Sequence, residues 1–153
     1  MDIDAQLDAL GLRLPEPAAP LAAYVPYVLA GDLLHVSGQV SRGPDGAVLA
    51  GTLGAGLDAE AGAEAARSCA LHLLAQVKAA CGGEWWRVLR AVKLTGFVAS
   101  APGFFDQPRV INGASELLVA AMGEAGRHAR SAVGVAALPL GAAVEVEGVF
   151  LFR

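Results

Sequence analysis

Basic runs are missing from this 153-residue chain: no stretch of Lys or Arg is longer than two, and the formal net charge is −4. Nucleic-acid binders carry a basic stripe for phosphates, so no nucleic-acid partner is expected. Long hydrophobic runs are missing too. Although 55% of the residues are apolar, nothing approaches the roughly 20 consecutive uncharged apolar residues that span a bilayer. Cysteine is scarce, and Cys69 and Cys81 alone do not make the framework of a secreted disulfide scaffold. The acidic start, Met1-Asp2-Ile3-Asp4, lacks the basic n-region of a signal peptide. These absences predict a cytoplasmic protein with no membrane partner.

What is present is small and apolar. The length fits one core, and much of the apolar excess is Ala, with 19 Gly beside it. Such a composition suits a chain that buries surface against copies of itself, so a homo-oligomer is expected.

Residues 3–10 place Ile3, Leu7 and Leu10 on one helical face, and Gly11 can follow as the C′ residue. Pro15, Pro17 and Pro20 then force an extended arm, so residues 1–20 read as a helix and arm and 21–153 as one domain. Leu33 to Gln39 reads as a strand, followed by a turn at Gly43-Pro44-Asp45-Gly46 and a short strand near Val48. Residues 59–80 carry a helical stripe, Ala66, Ala70, Leu73, Val77 and Ala80, with Asp58 as N-cap and Gly82-Gly83 as the stop. Residues 84–90 suggest a helical turn, and Ala91 to Ser100 a strand. A second helix starts near Pro108, with Ile111, Ala114, Ser115, Leu118, Ala121 and Met122 facing the core. Residues 131–137 and 143–152 read as strands around a turn at Leu138-Pro139-Leu140-Gly141. The order predicts an α+β domain: a mixed sheet with two long helices on one face, the other face left for neighbouring subunits.

Several candidate motifs fail on spacing. Cys69 and His72 sit three apart on a helix, but no second pair with ligand spacing exists, so no metal is expected and Cys69 reads as a buried structural thiol. A GxSxG elbow is absent and the three His residues form no triad. Gly51-Thr52-Leu53-Gly54-Ala55-Gly56 has neither the dinucleotide nor the Walker spacing and reads as a turn. Trp85 and Trp86 read as packing or oligomer contacts.

One constellation survives. Arg130, Ala132, Gly134 and Ala136 alternate along a strand, setting a guanidinium beside three small side chains. The planar fork of Arg makes two parallel hydrogen bonds to a carboxylate and keeps its proton. Burying it without a partner is costly, so an acidic side chain or ligand should face it. Glu145, expected on the adjoining strand across a short turn, is the acidic candidate; the plain reading is a cross-strand ion pair of little worth.

The segment HARSAVGVAALPLGAAVEVEGVF, residues 128–150, resembles the C-terminal signature of the RidA (YjgF) family of reactive-intermediate deaminases, of the form ARSxVxVxxLPxxxxVEIEAIA. Tyr24, thirteen residues before the Ser of Ser37-Gly38-Gln39, is similar to the family's N-terminal pattern, and Val110-Ile111-Asn112 to its VNxxY helix start. The resemblance, from about residue 22 to the end, implies a chorismate-mutase-like homotrimer with three clefts between subunits. It also implies that Arg130 grips a substrate carboxylate, that Glu145 positions the hydrolytic water, and that Tyr24 and Asn112 line the cleft. The implied reaction is hydrolytic deamination of small 2-imino or enamine acids to 2-keto acids and ammonia, with no metal or organic cofactor. Ala132 stands where many members have Cys, Gly134 where a larger polar residue is common, and residues 101–109 are unlike the commonest members. The chain therefore reads as a divergent subgroup of a family often labelled endoribonuclease L-PSP-like. A non-catalytic small-carboxylate-binding or regulatory trimer is the alternative.

Overall fold

The computed structural model describes residues 2–19 and 22–153; Met1 and Pro20, used above, lie outside the described residues. The first helix, α1 (Ile3–Ala9), begins where the Asp2 carboxylate accepts from the Ala5 N–H at 3.1 Å. It ends just before Gly11, whose φ of +70° suits a residue without Cβ. Ile3 and Leu7 are fully buried, so α1 belongs to the main core. Asp4 accepts from the indole N–H of Trp85 at 2.9 Å and pairs with Lys78 at 2.8 Å.

Five strands form the main sheet: β1 (Tyr27–Ala30), β2 (Leu33–Val40), β5 (Val88–Ala99), β6 (Ala129–Val135) and β7 (Val144–Phe152). Two two-residue strands, β3 (Thr52–Leu53) and β4 (Gly56–Leu57), pair separately inside the glycine-rich turn. The sheet order is β1-β2-β7-β5-β6, with only β5–β6 parallel. The long crossover that parallel neighbours require contains the helix α3 (Gln107–Met122).

This order corrects one expectation. β6 and β7 are not adjacent, although a turn of few residues joins them; β5 lies between them. Leu140 inside that connection has φ +61° and Gly141 φ +71°. Val48 forms only an isolated bridge with Arg42, not a strand.

Both long helices, α2 (Ala59–Ala80) and α3, pack on one face of the sheet. Asp58 caps α2 by accepting from the Ala61 N–H at 2.8 Å, and Ala66, Ala70, Leu73 and Val77 are buried along its inner face. The helices meet closely, because a Cβ on Gly113 would run into the backbone carbonyl of Ala63. Gly96 of β5 likewise leaves room for Ile111 of α3. Among the described residues no helix covers the opposite face of the sheet. It presents His35, Ser37, Lys93, Thr95, Glu147 and Val149 around an open cavity of about 400 Å³. Among the described residues no helix is long and apolar enough to cross a membrane.

Candidate functional site

Arg130 is the second residue of β6, the edge strand, and is paired in register with Leu94 of β5. Leu94 is buried among the helices, so Arg130 points to the helix side of the sheet. There its Nη1 donates to Asn112 Oδ1 at 2.8 Å and to Ser115 Oγ at 3.2 Å, both on α3. The two acceptors are three residues apart, hence neighbours on one helical face. Both Nη1 protons are thereby used. The Nε–Nη2 edge makes no hydrogen bond to a described residue, and no carboxylate among them lies within ion-pair distance of the guanidinium.

Ser115 was expected to face the core with the apolar stripe. It is half-buried at the rim instead, with its Oγ 3.0 Å from His128 Nε2. His128 Nδ1 lies 2.6 Å from the carbonyl of Gly126. Burial pushes the His128 pKa down; the Gly126 carbonyl opposes this and the Arg130 charge adds to it. Reading α3 by its apolar stripe concealed Ser115, while His128 lies past the end of α3, just before β6 begins at Ala129. The signal that could have found them was a polar pair, one beside Asn112 and the other beside Arg130.

Glu145 belongs to the other face. Val144 and Val146 on either side of it are buried against the helices, so the Glu145 side chain leaves the sheet oppositely. Its register partners are Phe97 and Val40. The cross-strand Arg130–Glu145 ion pair is therefore absent, and the two groups stand on opposite faces with β5 between their strands. The half-buried carboxylate has no hydrogen-bond partner among the described residues. Burial raises its pKa, and the charge of Glu147 raises it further.

Around Glu145 the Ser37-Gly38-Gln39 segment acquires a physical meaning. The β2–β7 register slips between Val36 and Gln39, and the Glu145 carboxylate lies where a Cβ on Gly38 would stand. Ser37 donates from its hydroxyl to the carbonyl of Val25 at 2.8 Å and from its N–H to that of Pro26 at 2.9 Å. These bonds tie the bend that carries Tyr24 to the same strand. Tyr24 is 53% exposed and precedes β1 instead of lying on an edge strand.

Two separate candidate clusters result. One gathers Arg130, Asn112, Ser115 and His128 at the β6 edge; the other brings Glu145, Gly38, Ser37 and the Tyr24 bend to the uncovered face. A groove of about 1010 Å³ between residues 11–18, the loop after β2 and α2 contains none of these groups. Cys69 is buried, donates from its thiol to the Val144 carbonyl at 3.5 Å, and has its pKa driven far up by burial, so it is inert. Gly134 lies against Gln107 and Ser100, whose side chains fill the space a larger residue would take.

A family model described as "YjgF/chorismate_mutase-like, putative endoribonuclease" matches residues 4–152. Protein TCP17 of Trypanosoma cruzi is 51% identical over 146 residues, covering 95% of this chain and 91% of that protein. The crystal structure of Atu1372 from Agrobacterium tumefaciens, of unknown function, is 43% identical with a TM-score of 0.91, covering 99% of this chain and 94% of that one. The YjgF gene product of E. coli is 29% identical with a TM-score of 0.63, covering 90% and 94% respectively. The fold, the matched residues and these relatives lead to one conclusion: this chain belongs to the YjgF (RidA) family.

Proposed function

We propose that the protein hydrolyses small 2-imino or enamine acids to 2-keto acids and ammonia, in clefts where the Arg130 half-site of one chain meets the Glu145 half-site of another in a homotrimer. The observation that carries this reading is the half-used guanidinium. Nη1 is committed to Asn112 and Ser115, while the Nε–Nη2 edge is left to receive a carboxylate through two parallel bonds. The opposed placement of Arg130 and Glu145 supports a seam between chains, since a single chain cannot bring them together.

The chemistry asks little of the protein. A C=N bond next to a carboxylate is already electrophilic. An enamine first takes a proton from solvent at C3 to become the imine. Water then adds to C2 as Glu145 takes a proton from it and the imine nitrogen gains one from solvent; protonated Glu145 returns its proton to the nitrogen of the carbinolamine, whose hydroxyl loses a proton as the C–N bond breaks, releasing ammonia and leaving the C=O of the keto acid. Arg130 supplies orientation and Tyr24 a wall of the cleft. The pKa of Glu145, raised by burial and by Glu147, makes its carboxylate a better base than an ordinary glutamate. No metal or organic cofactor takes part in this scheme.

The test is to generate 2-iminobutyrate with an amino-acid oxidase and follow its conversion to 2-ketobutyrate. Wild type should accelerate it, Arg130→Ala should abolish the acceleration, and Glu145→Gln should slow turnover while keeping 2-ketobutyrate binding. Binding without acceleration by the wild type would replace this reading with a carboxylate-binding trimer. A monomer by light scattering at micromolar concentration would remove the cleft.

A further inference from the structure

The guanidinium of Arg130 is held by more than Asn112. A chain of hydrogen bonds runs behind it, and its proton directions are fixed by one group that can only accept. The carbonyl of Gly126 requires the proton on His128 Nδ1 at 2.6 Å. In the neutral ring Nε2 is then an acceptor, so the Ser115 hydroxyl donates to it at 3.0 Å. With its proton turned away, Ser115 Oγ presents a lone pair to Arg130 Nη1 at 3.2 Å. The residues interlock in pairs: Asn112 and Ser115 on one face of α3, His128 and Arg130 two apart along the strand side.

We propose that Ser115 and His128 are positioning residues, which pin Nη1 from behind and so aim the Nε–Nη2 edge of Arg130 at the substrate carboxylate. This rests on the assignment of Arg130 as the carboxylate anchor and adds the device that orients it. Asn112 alone would fix one Nη1 proton and leave the plane free to rock about that bond. Ser115 supplies the second point, and His128 stops the hydroxyl from turning its own proton toward the cation. Without the imidazole, Ser115 can point either way.

The pin can be read without any substrate. Exchange between Nη1 and Nη2 by rotation about the Nε–Cζ bond is measured by ¹⁵N NMR of the Arg130 guanidinium, assigned by its loss in Arg130→Lys. Ser115→Ala should speed that rotation, Ser115→Thr should restore the slow rate, and His128→Phe should give an intermediate rate. Unchanged rotation in Ser115→Ala overturns the proposal, whatever the enzyme assay shows. In turnover, Ser115→Ala should raise KM for 2-iminobutyrate about tenfold, as loss of a hydrogen bond to a charged group implies, with kcat changed far less. Combining Ser115→Ala with His128→Phe should cost no more than Ser115→Ala alone, because the imidazole acts through the hydroxyl. Additive effects would mean that His128 serves only local packing. If wild type shows no turnover, the reaction reading fails; the NMR result still decides the pin.

Discussion

The carboxylate of Glu145 occupies the space that a side chain on Gly38 would need. The obstacle is the far end of a flexible side chain, and Gly38 is not in the left-handed region, so the backbone accepts alanine. Gly38→Ala should therefore fold and displace the carboxylate. Turnover of 2-iminobutyrate should fall at least about tenfold, as misplacement of a reacting group implies, with a stability change within about 1 kcal/mol. Urea unfolding beside the coupled oxidase assay checks both; wild-type turnover would show that the glycine does not shape the site.

Glu145 should oppose stability where it is charged. Its folded pKa is raised by burial and by Glu147 above the ordinary 4.5. The sign follows by linkage: stability is fully present below about 4.5 and is lost as pH rises through the folded value. Glu145→Gln should thus raise Tm at pH 7 and leave it nearly unchanged at pH 4, while turnover drops. Thermal unfolding at the two pH values checks this, and a lower Tm at pH 7 would contradict it.

If each cleft takes Arg130 from one chain and Glu145 from the next, two impaired variants should complement. Arg130→Ala and Glu145→Gln, co-expressed and purified as mixed oligomers, should recover a fraction of wild-type turnover that neither shows alone. No recovery from confirmed mixed oligomers would place both groups' roles elsewhere.

Gly113 tests the support beneath the Arg130 half-site. A methyl there meets the backbone carbonyl of Ala63, which cannot yield as a side chain would. Overpacking of this kind costs about 1–3 kcal/mol, against a helix-propensity gain of about 1 kcal/mol. Gly113→Ala should be destabilised by urea unfolding and, because it separates the helices next to Asn112, should bind 2-ketobutyrate more weakly.

Local signals carried the elements well. The Ala66-Ala70-Leu73-Val77 stripe, the Asp58 cap and the alternation of Val144, Val146, Phe150 and Phe152 each depend on neighbours a few residues away, and each is where it was expected. β1 escaped notice because Tyr27–Ala30 shows no alternation and lies half-buried to exposed at the sheet edge. The strand order was not legible, since Val144–Phe152 pairs with segments far back in the chain and no local pattern marks that choice. For the same reason Arg130 and Asn112 were singled out one by one, while the Ser115–His128 bond behind them, and the Gly38–Glu145 fit, needed coordinates.

The strand interposed between Arg130 and Glu145 also has a genetic consequence. If every cleft borrows from two chains as proposed, a copy defective at both ends would poison the seams on either side of itself while still assembling. Such an allele would behave as dominant over a healthy one, and its harm would grow faster than its share of the expressed protein.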